Sequence, residues 1–323
     1  MSKPLSPVVS TDVDRLQRRR RVPPYVRASY IQSYLMLLIP FLGFVLFAAF
    51  PLAWSIQKSF YSWNGIRWRP AGLEKYVDVL TDRVFHTAVA NTFIFLLKLV
   101  VEIPLAFTLA VILSRRFIGR NLVRGALFLP SVTSIAVMSV VFYVILQPYS
   151  GFINQFLMKM GVIRAPIDWL GTRLTALGSC MAISIWQYTG LNMLFILAGL
   201  QSIPVEYYEA GQIEGMNWWQ SVWYITIPSI APYLQVIVML GIIGTMKVAD
   251  LILVLTNGGP GYETEMMMTY VFHHFWGSGR GEKAVADWGM GAAGAVISGI
   301  IVAIVTLIYL YTTRKSSEYS ADV

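Results

Sequence analysis

Six apolar stretches, each long enough to cross a lipid bilayer as an α-helix, constrain this chain more than any other feature of its sequence. They cover residues 33–56, 91–113, 125–147, 175–200, 230–255 and 290–311. About 20 residues of α-helix cross the ~30 Å hydrocarbon core, where every backbone polar group needs a partner within the protein. The sequence therefore predicts an all-α polytopic membrane protein with six transmembrane helices.

Composition agrees with a chain that lies mostly in lipid. Of its 323 residues, 56% are hydrophobic and 13% are charged, whereas about a quarter of the residues of a soluble domain are charged. The net charge of +8 fits basic cytoplasmic ends better than a nucleic-acid interface, so no nucleic-acid partner is predicted. Cys180, the single cysteine, cannot form an intrachain disulfide and is predicted to be a small packed residue inside a span.

The N-terminal region has two interpretations. Four arginines at 18–21 precede an apolar stretch from about 34 to 54, as in a secretory signal peptide. The apolar region of a signal is shorter, about 7–15 residues, and no small-residue cleavage site follows this stretch. We therefore predict an uncleaved first span after a tail of residues 1–32, with a signal anchor as the alternative.

Basic residues on one side of the six spans predict the orientation. They precede span one, fill the link between spans two and three, and follow span six. These residues are Arg15, Arg18, Arg19, Arg20, Arg21, Arg27, Arg115, Arg116, Arg120, Arg124, Arg314 and Lys315. Because cytoplasmic loops are enriched in Lys and Arg, both termini are predicted to be cytoplasmic. The link between spans four and five lies on the same side but carries glutamates and no basic residue.

That link, residues 202–228, contains a series of helix start and stop signals. Pro204 suits the first turn of a helix, and Gly215 suits a helix end, where a left-handed residue is common. Asn217 and Gln220 have the spacing of an N-cap and its capping-box partner. Pro228 predicts the next break. The sequence thus predicts two short helices joined at a bend on the cytoplasmic face.

The chemistry of this link indicates either a docking site or a membrane-surface segment. Small residues at Ala210, Gly211 and Gly215 would let another backbone approach closely. Glu209 and Glu214 could present carboxylates to a basic partner. An amphipathic loop that lies on the bilayer would show a similar pattern.

The same residues resemble the EAA loop of ABC-importer permease subunits. That pattern is Glu-Ala-Ala, three residues, Gly, and a long spacer to Leu-Pro or Ile-Pro. Glu209-Ala210-Gly211 matches its start with one alanine replaced, Gly215 matches its glycine, and Ile227-Pro228 closes it. Glu214 replaces the usual aspartate and keeps the charge.

Further motifs resemble the carbohydrate-importer branch, which includes maltose, lactose and glycerol-phosphate permeases. They follow the order and spacing of that branch along most of the chain after about its first thirty residues. The motifs are Phe60-Tyr61-Ser62-Trp63, Gly72-Leu73-Glu74-Lys75-Tyr76, Asn91-Thr92, Ile167-Asp168-Trp169-Leu170, Leu197-Ala198-Gly199-Leu200-Gln201-Ser202-Ile203-Pro204 and Leu255-Thr256-Asn257-Gly258-Gly259-Pro260.

The resemblance implies a type I ABC-importer permease fold in the inner membrane of a prokaryote, together with a set of partners. A second homologous permease would complete the pathway, and an extracytoplasmic solute-binding protein would deliver a carbohydrate substrate. Two ATPase subunits would bind ATP and Mg²⁺, so this chain would need no cofactor of its own. The residues that would couple to an ATPase are Glu209, Ala210, Gly211, Glu214 and Gly215.

The implied organisation has four parts. A cytoplasmic tail (1–32) precedes the first helix and an external loop (33–90). A permease core (91–313) contains the coupling loop at about 202–228, and a cytoplasmic tail (314–323) ends the chain.

The sequence carries no motif that indicates an enzyme. It lacks the G-x-x-x-x-G-K-[ST] phosphate loop, and the glycine-rich run 277–283 has the wrong spacing and lies on the predicted external side. His273 and His274 lack a second cluster of ligands, so no metal site is predicted. Two alternatives stay open: a polytopic membrane enzyme such as a glycosyl or lipid transferase, and a scaffold without transport.

Polar residues within the spans are candidates for a substrate pathway. Lys98 and Glu102 have helical spacing and could neutralise each other or line the pathway. Lys247 and Asp250 have the same two interpretations. Four further side chains could bind sugar hydroxyls or neighbouring helices: Gln187, Tyr188, Asn192 and Gln235.

The predicted orientation can be tested by cysteine labelling from outside intact cells. Because Cys180 is the only native thiol, cysteines introduced at Gly277 and Met216 report on opposite sides of the membrane. A membrane-impermeant maleimide should label Gly277→Cys and leave Met216→Cys unlabelled until the cells are opened. External labelling of Met216→Cys would contradict the six-span topology.

Overall fold

The computed structural model describes residues 24–63, 66–115, 117–277 and 286–321, with side chains described only within 32–313. It divides into two compact units, residues 1–55 and 56–323. The arginines of the N-terminal tail up to residue 21, Arg116 and the loop after Gly277 lie outside the described residues. The side chains of Arg27, Arg314 and Lys315 do as well.

The first unit consists of the helix that corresponds to predicted span one. Helix α1 (Pro24–Phe44) continues through a π-helical turn at Val45–Ala49 into α2 (Phe50–Lys58), which runs past the boundary of the unit. Residues 32–58 are long and apolar enough to cross a membrane as one helix.

In its described residues, the secondary structure of the second unit is helical apart from one small hairpin. Strands β1 (Tyr61–Trp63) and β2 (Trp68–Pro70) pair antiparallel. The helices that follow are α3 (Glu74–Thr81), α4 (Arg83–Leu96), α5 (Lys98–Ser114), α6 (Arg120–Val132), α7 (Ile135–Ile145), α8 (Phe152–Lys159), α9 (Arg173–Gln201), α10 (Val205–Ile213), α11 (Trp218–Ser221), α12 (Ile227–Met246), α13 (Asp250–Leu255), α14 (Met267–Trp276) and α15 (Trp288–Ala321). A second π-helical turn, Val222–Thr226, joins α11 to α12.

Among the described residues, five helical segments are long and apolar enough to cross a membrane, 32–58, 83–114, 173–201, 218–246 and 288–313, and a bent pair of helices could make a sixth span. Four of them contain the predicted spans one, two, four and six. The second begins at Arg83 rather than at residue 91 because Asp82 caps it, its Oδ1 accepting from the Val84 N–H at 2.8 Å. The prediction of an all-α polytopic protein is confirmed.

Predicted span three is not one straight helix. Helices α6 and α7 are bent by 96° where Thr133 and Ser134 adopt extended conformations. Pro130 precedes the break, and the Ser131 hydroxyl donates to the carbonyl of Gln187 at 2.6 Å instead of to its own helix. Hydropathy averaged over 125–147 does not detect this bend, because the apolar residues on its two sides form one continuous run.

Predicted span five, 230–255, is also wrong at both ends. The helix ends at Met246, and residues 250–255 form the separate helix α13. At its other end the helix extends back to Trp218, through the π-helical turn.

Pro228 therefore does not break the chain direction as predicted. The Ile227 N–H donates to the Val222 carbonyl, an i→i−5 bond that widens the turn just before the proline. Pro228 has no N–H to place in the ladder, and a π turn is a known way for a helix to absorb such a defect. The same arrangement occurs at Phe50-Pro51, where the Phe50 N–H donates to Val45.

Helix α9 lies at the centre of the second unit, with α5, α6 and α12 packed around it. One buried cluster lies toward its C-terminal half: Ala106, Ala110, Leu113, Met193, Ile196, Leu197, Ile203, Ile230 and Ile237. Another lies toward its N-terminal half: Phe95, Leu146, Leu177, Cys180, Ile183, Leu251, Ile252, Leu255 and Met266. Cys180 is fully buried there, which confirms its prediction as a packed residue.

Asn91 ties three elements together where α9 begins. Its Nδ2 donates to the carbonyls of Glu263 and Glu265, at 2.7 and 2.9 Å, in the loop between α13 and α14. Its Oδ1 accepts from the Arg173 guanidinium, at 3.1 and 2.7 Å. One buried amide thus holds α4, α9 and this loop in a fixed relation.

The contact between α6 and α9 generates a stability prediction. A Cβ at Gly190 would overlap the backbone carbonyl of Leu127, whereas a Cβ at Gly178 of the same helix would have nothing within 4 Å. We expect Gly190→Ala to destabilise the purified chain by roughly 1–3 kcal/mol, the usual cost of overpacking. Gly178→Ala should leave stability unchanged or raise it slightly. Thermal unfolding in detergent measures both, and equal melting temperatures would contradict this packing.

Candidate functional site

The predicted bend between two short helices, within residues 202–228, is present, and its geometry follows from one glycine; it is called the coupling bend below, after the role proposed for it. The Gly215 N–H donates to the Gln212 carbonyl at 3.0 Å, and the Met216 N–H donates to the Gly211 carbonyl at 2.9 Å. This pair of bonds is a Schellman motif, which requires a left-handed residue, and Gly215 has φ +80°. The prediction that Gly215 supplies the left-handed residue at a helix end is confirmed, since it directly follows the C-cap Glu214 of α10.

The predicted capping box at the start of α11 is also confirmed. The Asn217 Oδ1 accepts from the Gln220 N–H at 2.9 Å, and the Gln220 Oε1 accepts from the Asn217 N–H at 2.8 Å. Two backbone donors that a helix start leaves free are satisfied in this way. The bend therefore has a defined shape instead of being a loose loop.

The small residues of the bend do not all face the same way. Glu209, Ala210, Glu214 and Gly215 are exposed, and a Cβ at Gly215 would meet nothing within 4 Å. Gly211 is buried, and a Cβ there would approach Ile225 at 2.9 Å. Gly211 thus packs α10 onto the following helix, which corrects the expectation that it offers its surface to another protein.

Two further contacts, which the sequence did not predict, attach the bend to the rest of the bundle. The hydroxyls of Tyr208 and Thr226 lie 3.0 Å apart, joining α10 to the π-helical turn. The guanidinium of Arg115, at the end of α5, lies 5.9 Å from the ring centroid of Trp218. A cavity of about 460 Å³ lies among these residues.

A separate small polar cavity of about 150 Å³ is lined by residues of α5, α9 and the end of α12. It gathers polar side chains from three segments that are far apart in the sequence: Lys98, Ser184, Tyr188, Thr245, Lys247 and Asp250. Four of them were predicted as pathway candidates: Lys98, Tyr188, Lys247 and Asp250. Ser184 and Thr245 were not, because a hydroxyl within an apolar run gives no signal distinct from helix packing.

Lys98 is held at this cavity by a buried ion pair. Its Nζ donates to the Glu102 Oε2 at 2.7 Å, and the Asn192 Nδ2 donates to the Glu102 Oε1 at 2.6 Å. The Lys98 ammonium also lies 5.1 Å from the Tyr188 ring centroid. Lys98 and Glu102 thus neutralise each other, as one of the two predicted alternatives stated. Lys98 also lines the cavity. Asn192 lies behind the pair and contacts its carboxylate.

Lys247 and Asp250 do not form the expected pair. The helix ends at Met246, and the residues up to Ala249 are not helical, so the i, i+3 spacing does not place the two side chains on one helix face. Within the described part of the chain, the structure records no ion pair between them. Both are exposed and line the polar cavity.

Gln187 and Gln235 are not among the residues that line the polar cavity. Gln187 is 3% exposed, and its Nε2 donates to the Thr133 carbonyl at 3.4 Å, so it supports the bend between α6 and α7. The Gln235 carbonyl accepts from the Tyr309 hydroxyl of α15 at 2.7 Å. The Gln187 side chain thus contacts a neighbouring helix, the other interpretation that the sequence left open, whereas the Gln235 bond involves only its backbone.

His273 and His274 have protein partners. His273 Nδ1 lies 2.8 Å from the Glu265 Oε1, and its Nε2 lies 2.9 Å from the Asn257 Oδ1. His274 Nδ1 lies 2.8 Å from the Tyr270 carbonyl. Among the described residues, no group of three or more His, Cys, Asp or Glu side chains could hold a metal ion.

The described structure thus combines membrane-length helices, a polar cavity and a bent helical segment, which are features expected of a membrane permease. Residues 102–317 match the family described as binding-protein-dependent transport system inner membrane component, and the chain belongs to that family. The matched region contains both the bend and most of the polar cavity.

Curated relatives cover most of the chain. A probable ABC transporter permease protein of Pyrococcus horikoshii is 30% identical over 90% of this chain and 99% of its own length. The trehalose/maltose transport system permease protein MalF of Thermococcus litoralis is 32% identical over 75% of this chain and 79% of its own. The lactose transport system permease protein LacF of Rhizobium radiobacter is 29% identical over 83% and 89%. The predicted resemblance to carbohydrate ABC permeases is confirmed.

A solved structure has the same fold. It is a bacterial ABC transporter involved in the import of the acidic polysaccharide alginate, with a TM-score of 0.77 and 22% identity over 90% of this chain and 97% of that chain. A second structure shows a bacterial alginate ABC transporter in complex with an alginate pentasaccharide-bound periplasmic protein, also with a TM-score of 0.77. The type I importer permease fold is confirmed.

The buried ion pair beside the cavity can be tested with a double-mutant cycle. Lys98→Met leaves the Glu102 carboxylate without its cation, and Glu102→Met leaves the ammonium without its anion. Each single variant should lose roughly 3–5 kcal/mol of unfolding free energy, and the double variant should lose less than either. Denaturant unfolding of the purified chain measures this, and additive losses would contradict the pair.

Proposed function

We propose that this chain is the permease subunit of an ABC importer for a sugar or related carbohydrate, and that it has no catalytic activity of its own. The observation that carries the proposal is the family match over residues 102–317, which includes the coupling bend. The names of the relatives support the substrate class, since two of them transport trehalose/maltose and lactose.

The partners follow from this role. A second homologous permease completes the pathway, and two ATPase subunits bind ATP and Mg²⁺, so this chain needs no cofactor. An extracytoplasmic solute-binding protein delivers the carbohydrate, an arrangement supported by the alginate transporter solved with its periplasmic protein. The chain contacts membrane lipid and no nucleic acid.

The orientation is that of a multi-pass protein in the inner membrane of a prokaryote, with both termini cytoplasmic. The coupling bend then lies on the cytoplasmic side, together with the basic link between α5 and α6. The contact of Arg115 with Trp218 supports this placement, because it joins that basic link to the start of α11.

ATP-driven movement reaches the bundle through the exposed residues of the bend. Glu209 and Glu214 pair with basic groups of the ATPase, and Ala210 and Gly215 allow close approach. Gly211 supports them from within by packing on Ile225. Sugar hydroxyls meet the side chains of the polar cavity, among them Lys98, Tyr188, Lys247 and Asp250.

Substitutions in the bend test this proposal. Gly215→Trp puts a large side chain at the bend and strains its left-handed backbone, so it should abolish most sugar uptake and the stimulation of the ATPase by the loaded solute-binding protein. Glu209→Ala should weaken ATPase docking about tenfold or more, since a charged hydrogen bond contributes roughly 1.5–3 kcal/mol. Uptake assays and pull-down of the ATPase by the membrane complex measure these effects.

Matched variants control for folding and charge. Gly161→Trp places the same side chain at φ +72° in open space after α8, at the predicted external side. Glu206→Ala removes a carboxylate from the first turn of α10, outside the motif. Both should support normal uptake. Parental uptake by Gly215→Trp and Glu209→Ala, at normal expression, would refute the coupling role.

A further inference from the structure

Glu265 carries a carboxylate that is buried in the loop between α13 and α14. The residue is 1% exposed, and its Oε1 lies 2.8 Å from the Nδ1 of His273 on α14. Its Oε2 has no hydrogen-bond partner among the described residues, and a Cβ at Gly258 would overlap it. In that part of the chain no Lys or Arg forms an ion pair with this carboxylate. His273 is therefore the group that can balance its charge.

The His273 ring is itself buried, and both of its nitrogens face oxygen atoms. Nδ1 faces Glu265, and Nε2 lies 2.9 Å from the Asn257 Oδ1. A ring that donates from both nitrogens is an imidazolium, and its positive charge balances the carboxylate. Removing one proton leaves a net negative charge in a buried site, which is costly whichever ring nitrogen keeps its hydrogen. The pair of Glu265 and His273 is thus charge-balanced only while it holds that proton.

Asn257 extends this contact to the short helix α13. It follows the C-cap residue Thr256 in a left-handed conformation, with φ +48°, and its N–H donates to the Ile252 carbonyl at 2.8 Å. Its backbone therefore closes the C-terminal end of α13, while its side chain faces His273 of α14. The first residue of α13 is Asp250, which lines the polar cavity. The buried pair thus connects α14 to a helix of six residues that begins at the cavity.

The other titratable groups nearby do not take part in the pair. On α14, on the elements packed against it (α4, α13 and α15) and on the residues at their ends, the described side chains of this kind are Asp82, Arg83, His86, Asp250, Tyr262, Glu263, Tyr270, His274, Asp287, Tyr309 and Tyr311. None of them is recorded in an ion pair or hydrogen bond with the side chain of Glu265 or His273. The Tyr270 hydroxyl donates to Asp82 at 2.9 Å, and the Arg173 guanidinium of α9 donates to Asn91.

We propose that Glu265 and His273 form a proton-dependent clasp that fixes α13 to α14 and so positions Asp250 at the polar cavity. While the pair holds its proton, His273 bonds both Glu265 and Asn257. When the pH rises, that proton passes to water, the buried carboxylate loses its counter-charge, and α13 becomes more mobile. The clasp makes the cavity lining sensitive to pH on the side where α13 and α14 meet, and only its consequence for carbohydrate passage rests on the proposed function.

Spin labelling of the full chain in nanodiscs tests the clasp without a transport assay, so its failure is distinguishable from failure of the proposed function. A nitroxide is attached at Val254→Cys, an exposed position of α13, in a Cys180→Ala background. Spectra are recorded from about pH 6 to about pH 9, across which an ordinary imidazole loses its proton. The ratio of mobile to immobile label should rise about tenfold or more with pH, because an uncompensated buried charge disfavours the closed arrangement by at least that factor.

Two variants and two controls assign the response to the clasp. In Glu265→Gln a neutral ring can donate to Asn257 and accept from the new amide, so the label should stay immobile at every pH. His273→Gln removes the titrating ring and should also abolish the pH dependence.

His86→Gln removes an exposed histidine of α4 and should keep the parental response, whereas a label at Phe195→Cys on α9 should show none. A parental Val254 label that ignores pH would overturn the proposal, as would a pH response retained in either Glu265→Gln or His273→Gln. Because these two variants remove opposite partners of the pair, either one decides the question if the other fails to fold.

Discussion

Inside a bilayer every backbone polar group needs a partner within the protein, and this constraint governs the structure. The places where the long helices are interrupted therefore need an explanation. Long helices meet that need without help from outside. The chain departs from them at the 96° bend between α6 and α7 and after Met246. Residues beside both interruptions line the polar cavity, among them Ile135 and Lys247. Irregular backbone is tolerated at membrane depth where it lines such a cavity, so the interruptions and the cavity support each other.

The ion pair of Lys98 and Glu102 is better explained by the cavity than by stability. A buried pair recovers little more than its desolvation cost, and apolar residues of similar volume would often serve as well. Glu102 is 1% exposed, and its two carboxylate oxygens accept hydrogen bonds from Lys98 and Asn192. The ammonium can form further hydrogen bonds on the side that faces the cavity. The arrangement thus places a fixed donor, charge-balanced from behind, on a surface where sugar oxygens are expected.

Local signals in the sequence predicted local structure well. Gly215, Asn217 and Gln220 determine the coupling bend through bonds that span only a few residues, so their spacing was sufficient. Four spans were predicted correctly because each is a long apolar run that forms one continuous helix. The bend of span three and the end of span five were missed because hydropathy sums apolar character and is insensitive to backbone direction. The direction in which Gly211 faces, and the bonds from Asn91 to residues more than 80 positions away, depend on packing that no local pattern encodes.

Two long helices connect the coupling bend with the polar cavity. Helix α9 ends at Gln201, just before the bend, and carries Ser184 and Tyr188 at the cavity. The continuous helix 218–246 starts within the bend and carries Thr245 at the cavity, so it extends roughly 40 Å between them at about 1.5 Å per residue. Tyr208 bonds Thr226, and Gly211 packs on Ile225, so α10 is fastened to the first turns of that helix. A helix transmits displacement along its axis because its hydrogen bonds are all internal. A force applied at the exposed face of α10 would therefore move the cavity lining without requiring the bend itself to change shape.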